Sequence, residues 1–246
     1  MQNGGLRTKG ITKNSTPEKP LITVVTVVYN GAATLEQTIL SVVNQTYDNV
    51  EYIIIDGAST DGTLGIIKKY EDKIDYWQSE PDKGIYDAMN KGIGLATGEW
   101  INFMNAGDEF FDSNTISGIF INKKIPADVL YGSVVVAGNI VKPRKLRSIK
   151  YTLPFCHQSC FLKRCICPFF KSEYRIIADY IMFLELFNQK VVFKNLDIPV
   201  SKFDENGISS NYRKVIAEKI KYAKYNKRYF DILVFKILLI KNRKLK

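Results

Sequence analysis

Apolar runs and amphipathic segments alternate through the first half of the chain. The runs are short and rich in β-branched residues, which is typical of buried parallel strands. Predicted strands cover residues 21–29, 52–55, 74–78 and 100–104. Predicted helices cover residues 34–44, 63–70 and 87–96. This alternation predicts an α/β fold with a doubly wound, mostly parallel sheet.

The pattern loosens after residue 112. We predict helices over residues 116–121 and 176–187, and strands over 128–136, 149–153 and 191–200; residues 154–170 show no period. The polar, glycine-rich residues 1–20 are interpreted as a flexible leader. The predicted domain covers residues 21–210, with a first half, 21–112, and a second half, 113–210. Residues 211–246 form a basic helical tail.

The stretch WINFMNAGDEFF, residues 100–111, carries the most informative chemistry. An apolar strand stops at Asn105-Ala106-Gly107-Asp108, where small residues allow a turn that exposes a carboxylate. Ligands of open α/β folds bind at the carboxyl ends of the strands. Mg²⁺ is commonly held there by one or two carboxylates together with substrate phosphates. The alternative is an ordinary turn that happens to contain Asp, a frequent turn residue.

A second acid, Asp56, follows another predicted strand, and Lys83-Gly84 precedes a predicted helix. The carboxyl ends of parallel strands share one sheet edge, so Asp56 and Asp108 are expected on the same side. A helix start with a nearby lysine suits a diphosphate. The loop is not a Walker motif, and no G-x-G-x-x-G follows the first strand, which argues against a dinucleotide dehydrogenase.

The 246-residue chain has a net charge of +10 and four cysteines, Cys156, Cys160, Cys165 and Cys167. Residues 1–20 contain no apolar signal segment. We therefore expect a cytoplasmic protein with reduced thiols. The cysteine spacing does not match standard zinc motifs, so free or buried thiols are favoured over a zinc site.

Positive charge is concentrated at the end of the chain. Residues 211–246 contain twelve Lys or Arg and two acids, a balance of +10 that equals the excess of the whole chain. The apolar run 229–240 is too short for a spanning helix, which needs about 20 residues. A helix lying on an anionic membrane surface is one interpretation; a helix docked on the domain with a solvated basic face is the other. A nucleic-acid role is not favoured, because no groove-binding motif accompanies the charge.

Two long segments resemble the family 2 glycosyltransferases, which have the GT-A fold, and most closely the bacterial colanic-acid and polysaccharide branch. They read VVTVVYNGAATLEQTILSVVNQTYDNVEYIIIDGASTDGT and SEPDKGIYDAMNKGIGLATGEWINFMNAGDEF. The resemblance covers roughly residues 21–210 and implies a nucleotide-binding half, 21–112, and an acceptor half, 113–210. It implies a Rossmann-like, mostly parallel sheet flanked by helices. It also implies an inverting transfer of sugar from a nucleotide-diphosphate donor, with a UDP-sugar favoured, to a glycan or lipid-linked saccharide in bacterial surface polysaccharide synthesis.

The resemblance also implies roles for particular residues. Asp108 corresponds to the ligand of Mg²⁺ or Mn²⁺, although the motif retains only this one acid. Asp179 corresponds to the catalytic base. His157 and Gln158 are candidate contacts to sugar or acceptor, and Gly207 and Ser209 fall in a late loop over the donor. The donor-binding set comprises Thr26, Val28, Tyr29, Asn30, Asp56, Lys83, Asn90, Asn105, Ala106 and Gly107.

Other functions on the same fold remain open at this point. A non-catalytic nucleotide- or carbohydrate-binding module would also explain the reduced acidic motif. A nucleotidyltransferase would need a glycine-rich loop with Lys or Arg after the first strand, and Tyr29-Asn30-Gly31-Ala32-Ala33 contains no cation. With a lipid-linked acceptor, we expect the enzyme on the inner face of the cell membrane, held by residues 211–246.

Overall fold

The structure is a computed structural model that describes residues 1–121, 125–203 and 212–241. The strands are β1 Gln2–Gly4, β2 Ile22–Val28, β3 Val50–Asp56, β4 Tyr76–Ser79, β5 Trp100–Phe103, β6 Glu109–Phe110, β7 Val129–Val136, β8 Asn139–Val141, β9 Cys160–Lys163 and β10 Phe193–Phe203. The helices are α1 Leu35–Val43, α2 Thr63–Lys69, α3 Ile85–Leu95, α4 Thr115–Phe120, α5 Ala178–Asn188, α6 Tyr212–Tyr225 and α7 Tyr229–Lys241.

The first half forms the parallel part of the sheet, as predicted. β2 lies between β3 and β5 and runs parallel to both, and β3 is also parallel to β4. Val28 pairs with Asp56 at the carboxyl end of the β2–β3 ladder. Both faces of β2 and β3 are buried, which explains why β2 consists of β-branched residues and β3 is rich in them.

Helix α3 packs closely on this part of the sheet. A Cβ on Gly92 would lie 2.4 Å from Cγ1 of Val25, so only glycine permits the observed approach of helix to strand. Met89 and Ile93 of the same helix are buried among the strand residues. This contact fixes the start of α3 beside the carboxyl edge of the sheet.

The second half is mixed in direction. β9 runs antiparallel to β5 and β7, whereas β10 runs parallel to β7 and antiparallel to β6. The predicted strand over residues 149–153 is wrong, because a 3-10 helix occupies Leu146–Lys150 and buries Ile149 under α5. Strand β9 was missed because its residues lie within an apolar stretch that shows no alternation.

Residues 1–20 do not form the expected flexible leader. β1 pairs antiparallel with β4 at the edge of the sheet. Arg7 lies 3.3 Å from Glu51, and Lys13 lies 2.8 Å from Asp75. Strand pairing uses backbone groups and these ion pairs use polar side chains, so a polar composition did not reveal the docking.

The basic tail forms two helices rather than one. A break around Lys227, which has a φ of 55°, separates α6 from α7. Helix α6 packs on the domain, and its Glu218 accepts hydrogen bonds from the backbone N–H groups of residues 175–177, just before α5. Phe235 of α7 is buried against α6. The docked interpretation of the tail therefore holds for α6.

Candidate active site

A cleft of about 680 Å³ opens at the carboxyl edge of the parallel strands. Its walls come from the loops after β2 and β5, the start of α3, the 3-10 helix His157–Ser159 and the start of α5. Such edges are the usual ligand sites of open α/β sheets. The predicted residues that line the cleft are Val28, Tyr29, Asn30, Asn105, Ala106, Asp108, His157, Gln158 and Asp179.

The turn after β5 is built to present Asp108. The Asp108 N–H donates to the carbonyl of Asn105, and Gly107 adopts a φ of 100°, which favours glycine. Thr38 of α1 stabilises the turn twice: its hydroxyl donates to the Asp108 carbonyl at 2.8 Å and accepts from the Gly107 N–H at 3.0 Å. Helix α1, in the first half of the domain, therefore fixes the backbone of the predicted acidic motif.

The carboxylate of Asp108 is nearly buried and is held by a predicted neighbour. Nε2 of Gln158 donates to its Oδ2 at 2.7 Å, and the Cys156 thiol contacts Oε1 of Gln158 at 2.8 Å. Burial raises the pKa of this thiol to about 12, so Cys156 stays neutral beside the acid. The amide of Gln158 is thereby oriented with its donor toward Asp108.

The turn offers oxygen atoms that suit a divalent cation. Asn105 Oδ1 is buried and has no hydrogen-bond partner among the described residues, and it lines the same cleft as the Asp108 carboxylate. No group of three or more His, Cys, Asp or Glu side chains gathers as a metal cage in the parts of the chain that the structure describes. These donors fit a Mg²⁺ or Mn²⁺ ion that is shared with substrate phosphates.

Asp179 lies in the first turn of α5 and is surrounded by donors. It accepts from the Tyr86 hydroxyl at 3.1 Å, from the Tyr180 N–H at 2.8 Å and from His157 Nδ1 at 3.2 Å. Burial raises the pKa of this carboxyl, but the hydrogen bonds from His157, the Tyr180 N–H and the Tyr86 hydroxyl outweigh burial and lower the pKa. Asp179 is therefore ionised at neutral pH and able to accept a proton.

His157 joins the acidic turn to Asp179. Its Nε2 lies 3.2 Å from Asn105 Nδ2, and its Nδ1 lies 3.2 Å from Asp179 Oδ2. An amide NH₂ only donates, so Nε2 accepts and Nδ1 carries the proton donated to Asp179. The sequence predicts that His157 contacts the sugar or the acceptor. In the structure its ring also lies between Asn105 of the acidic turn and Asp179.

Some predicted donor residues lie outside the cleft. Thr26 is fully buried, and its hydroxyl bonds to the Met104 carbonyl at 2.7 Å. Asp56 is also fully buried, and it accepts from the hydroxyls of Ser59 at 2.5 Å and Ser79 at 2.6 Å. Both residues support the loops around the cleft. Gly107 shapes the turn but is not part of the lining.

Two further predicted donor residues make other contacts or line another cleft. Asn90 uses its amide to bind the backbone of Phe170, donating at 2.9 Å and accepting at 2.7 Å, so it holds a loop. Lys83 lines a neighbouring cleft. Gly207 and Ser209 lie outside the described residues.

Several cleft residues were not predicted. Tyr86, Phe155 and Arg175 line the cleft, and the Tyr86 hydroxyl contacts Asp179 directly. Tyr86 lies in a segment already singled out in the sequence, three residues beyond Lys83. The contact between Tyr86 and Asp179 forms because α5 packs near α3. The two helices are far apart in sequence, so no local pattern indicates this contact.

The layered sheet, with its cleft at the carboxyl edge and an acidic turn after β5, defines a protein of the GT-A class. Residues 23–175 match the model of glycosyl transferase family 2, which is more than half of the chain. The chain belongs to this family and is a glycosyltransferase.

Relatives with assigned names support this placement. A PGL/p-HBAD biosynthesis glycosyltransferase of Mycobacterium bovis is 30% identical over 205 residues, covering 78% of this chain and 80% of the relative. The putative teichuronic acid biosynthesis glycosyltransferase TuaG of Bacillus subtilis is 36% identical over 95 residues, covering 37% of this chain and 38% of the relative.

Solved structures share the fold. TarS of S. aureus in complex with UDP gives a TM-score of 0.62 at 18% identity, covering 80% of this chain. This chain spans 65% of that TarS chain. The mannosyltransferase PcManGT of Pyrobaculum calidifontis, in complex with GDP-Man and Mn²⁺, gives a TM-score of 0.64 at 16% identity, covering 92% of this chain and 71% of that one. At these identities the likeness concerns the fold.

Proposed function

We propose that this glycosyltransferase moves a sugar from a nucleotide-diphosphate donor, with a UDP-sugar favoured, to a saccharide acceptor with inversion at the anomeric carbon. One observation carries the proposal: Asp108 and Asp179 line the same cleft, and Asn105 and His157 connect them by hydrogen bonds.

The donor nucleotide is assigned to the side of the cleft formed by the loop after β2. Tyr29 is 67% exposed and lines the cleft, so its ring is available to stack on a base. Asn30 fixes this loop, because its N–H donates to Ser59 Oγ at 2.7 Å and its Oδ1 accepts from Thr60 N at 2.9 Å. The complexes of TarS with UDP and of PcManGT with GDP-Man support a nucleotide in this class of fold.

Asp108 and Asn105 Oδ1 would hold the divalent cation. When bound, such a cation stabilises the negative charge of the leaving diphosphate. The chain's own contribution is orientation: Gln158 keeps one carboxylate oxygen of Asp108 hydrogen-bonded, and Thr38 holds the turn. The Mn²⁺ in the PcManGT complex supports a cation on this fold.

Asp179 acts as the general base. It takes the proton of an acceptor hydroxyl as that oxygen bonds to the anomeric carbon, and the bond from this carbon to the nucleotide diphosphate breaks on the opposite face. Attack opposite the leaving group inverts the configuration. The carboxylate is held in one orientation by hydrogen bonds from His157, Tyr86 and the Tyr180 N–H. The rate of proton transfer therefore depends on the position of Asp179 as well as on its basicity.

The acceptor is assigned to surface glycan synthesis. The names of the relatives point to PGL/p-HBAD and teichuronic acid biosynthesis, and the sequence resemblance implies a lipid-linked saccharide. These observations support an acceptor that is built at the membrane.

The tail supports a position at an anionic membrane surface. No helix among the described residues is long and apolar enough to cross a membrane. Helix α7 nevertheless exposes an apolar stripe made of Phe230, Leu233 and Ile237, which follow one another at spacings of three and four residues. With the basic charge of residues 211–246, this stripe suits a helix that lies on lipid.

The release of free nucleoside diphosphate tests the proposal. The purified chain is incubated with Mg²⁺ or Mn²⁺ and a panel of nucleotide sugars, with and without lipid-linked saccharide. We expect one UDP-sugar to yield UDP, faster with acceptor. Binding of UDP without any release from the full panel would contradict catalysis and favour the non-catalytic module.

A further inference from the structure

A second cleft of about 740 Å³ adjoins the proposed donor cleft. It is formed by the start of α3, the segment before α5 and one side of α6. The two clefts share five lining residues along their common rim: Gly84, Ile85, Tyr86, Arg175 and Ile176. The Tyr86 hydroxyl contacts Asp179, so the second cleft lies directly beside the proposed base.

The charged residues of the second cleft are not equivalent. Three cations, Lys83, Arg175 and Lys214, face two acids, Asp87 and Glu218. Glu218 accepts from the backbone N–H groups of residues 175 and 176 at 2.9 Å each and of residue 177 at 3.3 Å. Asp87 accepts from the backbone N–H of Lys83 at 3.0 Å. Both acids are therefore engaged in local backbone structure.

The side chains of Lys83 and Arg175, unlike the two acids, are not used in hydrogen bonds to the backbone of the described residues. Both are exposed at the cleft, and neither makes an ion pair or a side-chain hydrogen bond within residues 1–121, 125–203 and 212–241. An arginine and a lysine at a common site are well suited to the oxygens of a phosphoryl group. The first residues of α3 also line this cleft, and the N-terminus of a helix favours an anion.

Apart from the hydroxyls of Ser172 and Tyr86, the side chains of the rest of the lining are apolar. Ile85, Ile176 and Ala217 contribute aliphatic surface beside the cations. A site for a bare sugar would be expected to carry more neutral hydrogen-bonding groups. The combination of cations and aliphatic wall fits a phosphoryl group attached to an apolar moiety.

We propose that the second cleft binds the phosphoryl group of a phosphorylated acceptor. This inference rests on the proposed transferase function and names the class of its acceptor. Bound there, the phosphoryl group holds the acceptor next to the shared rim, from which a sugar hydroxyl reaches Asp179. Lys83 thus serves the acceptor rather than the donor diphosphate.

Calorimetry with octyl phosphate tests the proposal on the full chain, because this probe joins a phosphoryl group to an apolar chain. The wild type should bind octyl phosphate both with and without saturating UDP, and bind uncharged octyl glucoside far more weakly. The Lys83→Gln/Arg175→Gln double variant should weaken octyl phosphate binding about tenfold or more, since even one lost charge-assisted contact of 1.4 kcal/mol is tenfold. Lys73→Gln, an exposed lysine outside both clefts, is the matched control.

Equal affinity of the double variant and wild type for octyl phosphate, or competitive displacement of octyl phosphate by UDP, would overturn the proposal. If UDP itself does not bind, the proposed function fails, and the comparison of variants still decides the second cleft. A titration with inorganic phosphate distinguishes a soluble phosphorylated acceptor from a lipid-borne one. Equal affinity for both probes identifies a soluble phosphorylated acceptor, and tighter binding of octyl phosphate identifies a lipid-borne one; either result supports the shared chemistry.

Discussion

Lys219 provides a quantitative test of how the tail docks on the domain. Its side chain is buried between the rings of Tyr180 and Phe235, with Nζ 4.5 and 5.8 Å from their centres, and Nζ donates to the Tyr151 carbonyl at 2.8 Å. Burial, only partly offset by the charge of Asp179, lowers the pKa of Lys219 from 10.5 to about 8. The folded protein thus releases this proton more readily than the unfolded chain does.

The sign of the pH dependence follows from that difference. Between pH 8 and 10.5 the unfolded chain binds more protons at this site, so the free energy of unfolding rises with pH. At 1.36 kcal/mol per pH unit, the rise contributed by Lys219 between pH 7 and 9.5 is on the order of 2 kcal/mol. Buried tyrosines act in the opposite direction at higher pH, since burial raises the pKa of Tyr222 to about 12; measurements therefore stop at pH 9.5.

Urea unfolding of wild type and Lys219→Met at both pH values measures this contribution. The stability of wild type relative to the variant should increase by about 2 kcal/mol from pH 7 to 9.5. Lys73→Met, at an exposed site, should show no such change. A difference between wild type and Lys219→Met that is the same at both pH values would refute a buried, deprotonating Lys219. The result bears on the active site, because α6 also carries the Glu218 that holds the segment before Asp179.

Three further predictions concern the site and the tail. Asp108→Asn should lose most turnover at saturating donor while the protein stays folded, and it should lose more than Asn105→Ala; wild-type turnover of Asp108→Asn would contradict its assignment. His157→Gln should lower kcat by about tenfold or more through misplacement of Asp179, with the KM for donor nearly unchanged; a selective rise in that KM would make His157 a donor contact. Serine at Phe230, Leu233 and Ile237 together should reduce binding to anionic vesicles, whereas Ile140→Ser on the remote β8 should not; the charge-dependent part should weaken with salt, because the Debye length is about 10 Å at 0.1 M. Equal vesicle binding by the two variants would argue against α7 as the membrane contact.

The parallel half of the fold was predictable because local sequence determines it. β2 and β3 are buried on both faces and therefore consist of β-branched runs that end at turns. The turn at Asn105 to Asp108 was predictable for the same reason. By contrast, β1 and β9 depend on neighbours distant in sequence, and their polar or aperiodic residues do not indicate pairing.

The candidate site shows the same limit. Asp108 and Asp179, which were singled out in the sequence, do line the cleft, but Asp56 and Asn90 illustrate why a motif does not place a side chain. Asp56 is enclosed by Ser59 and Ser79, and Asn90 is occupied by the backbone of Phe170. These contacts arise only when separate loops meet, which a linear pattern does not record.

The most direct test of the central claim compares wild type with Asp179→Asn. Calorimetry first measures UDP binding with Mn²⁺, and single-turnover assays then measure sugar transfer from the active UDP-sugar to acceptor. Loss of a general base commonly lowers the rate by about 10²–10⁴, whereas we assign the nucleotide to other residues. We expect UDP affinity to be retained within about twofold and transfer to fall by at least about 10². Transfer at the wild-type rate, or UDP affinity lost together with transfer, would contradict Asp179 as the base.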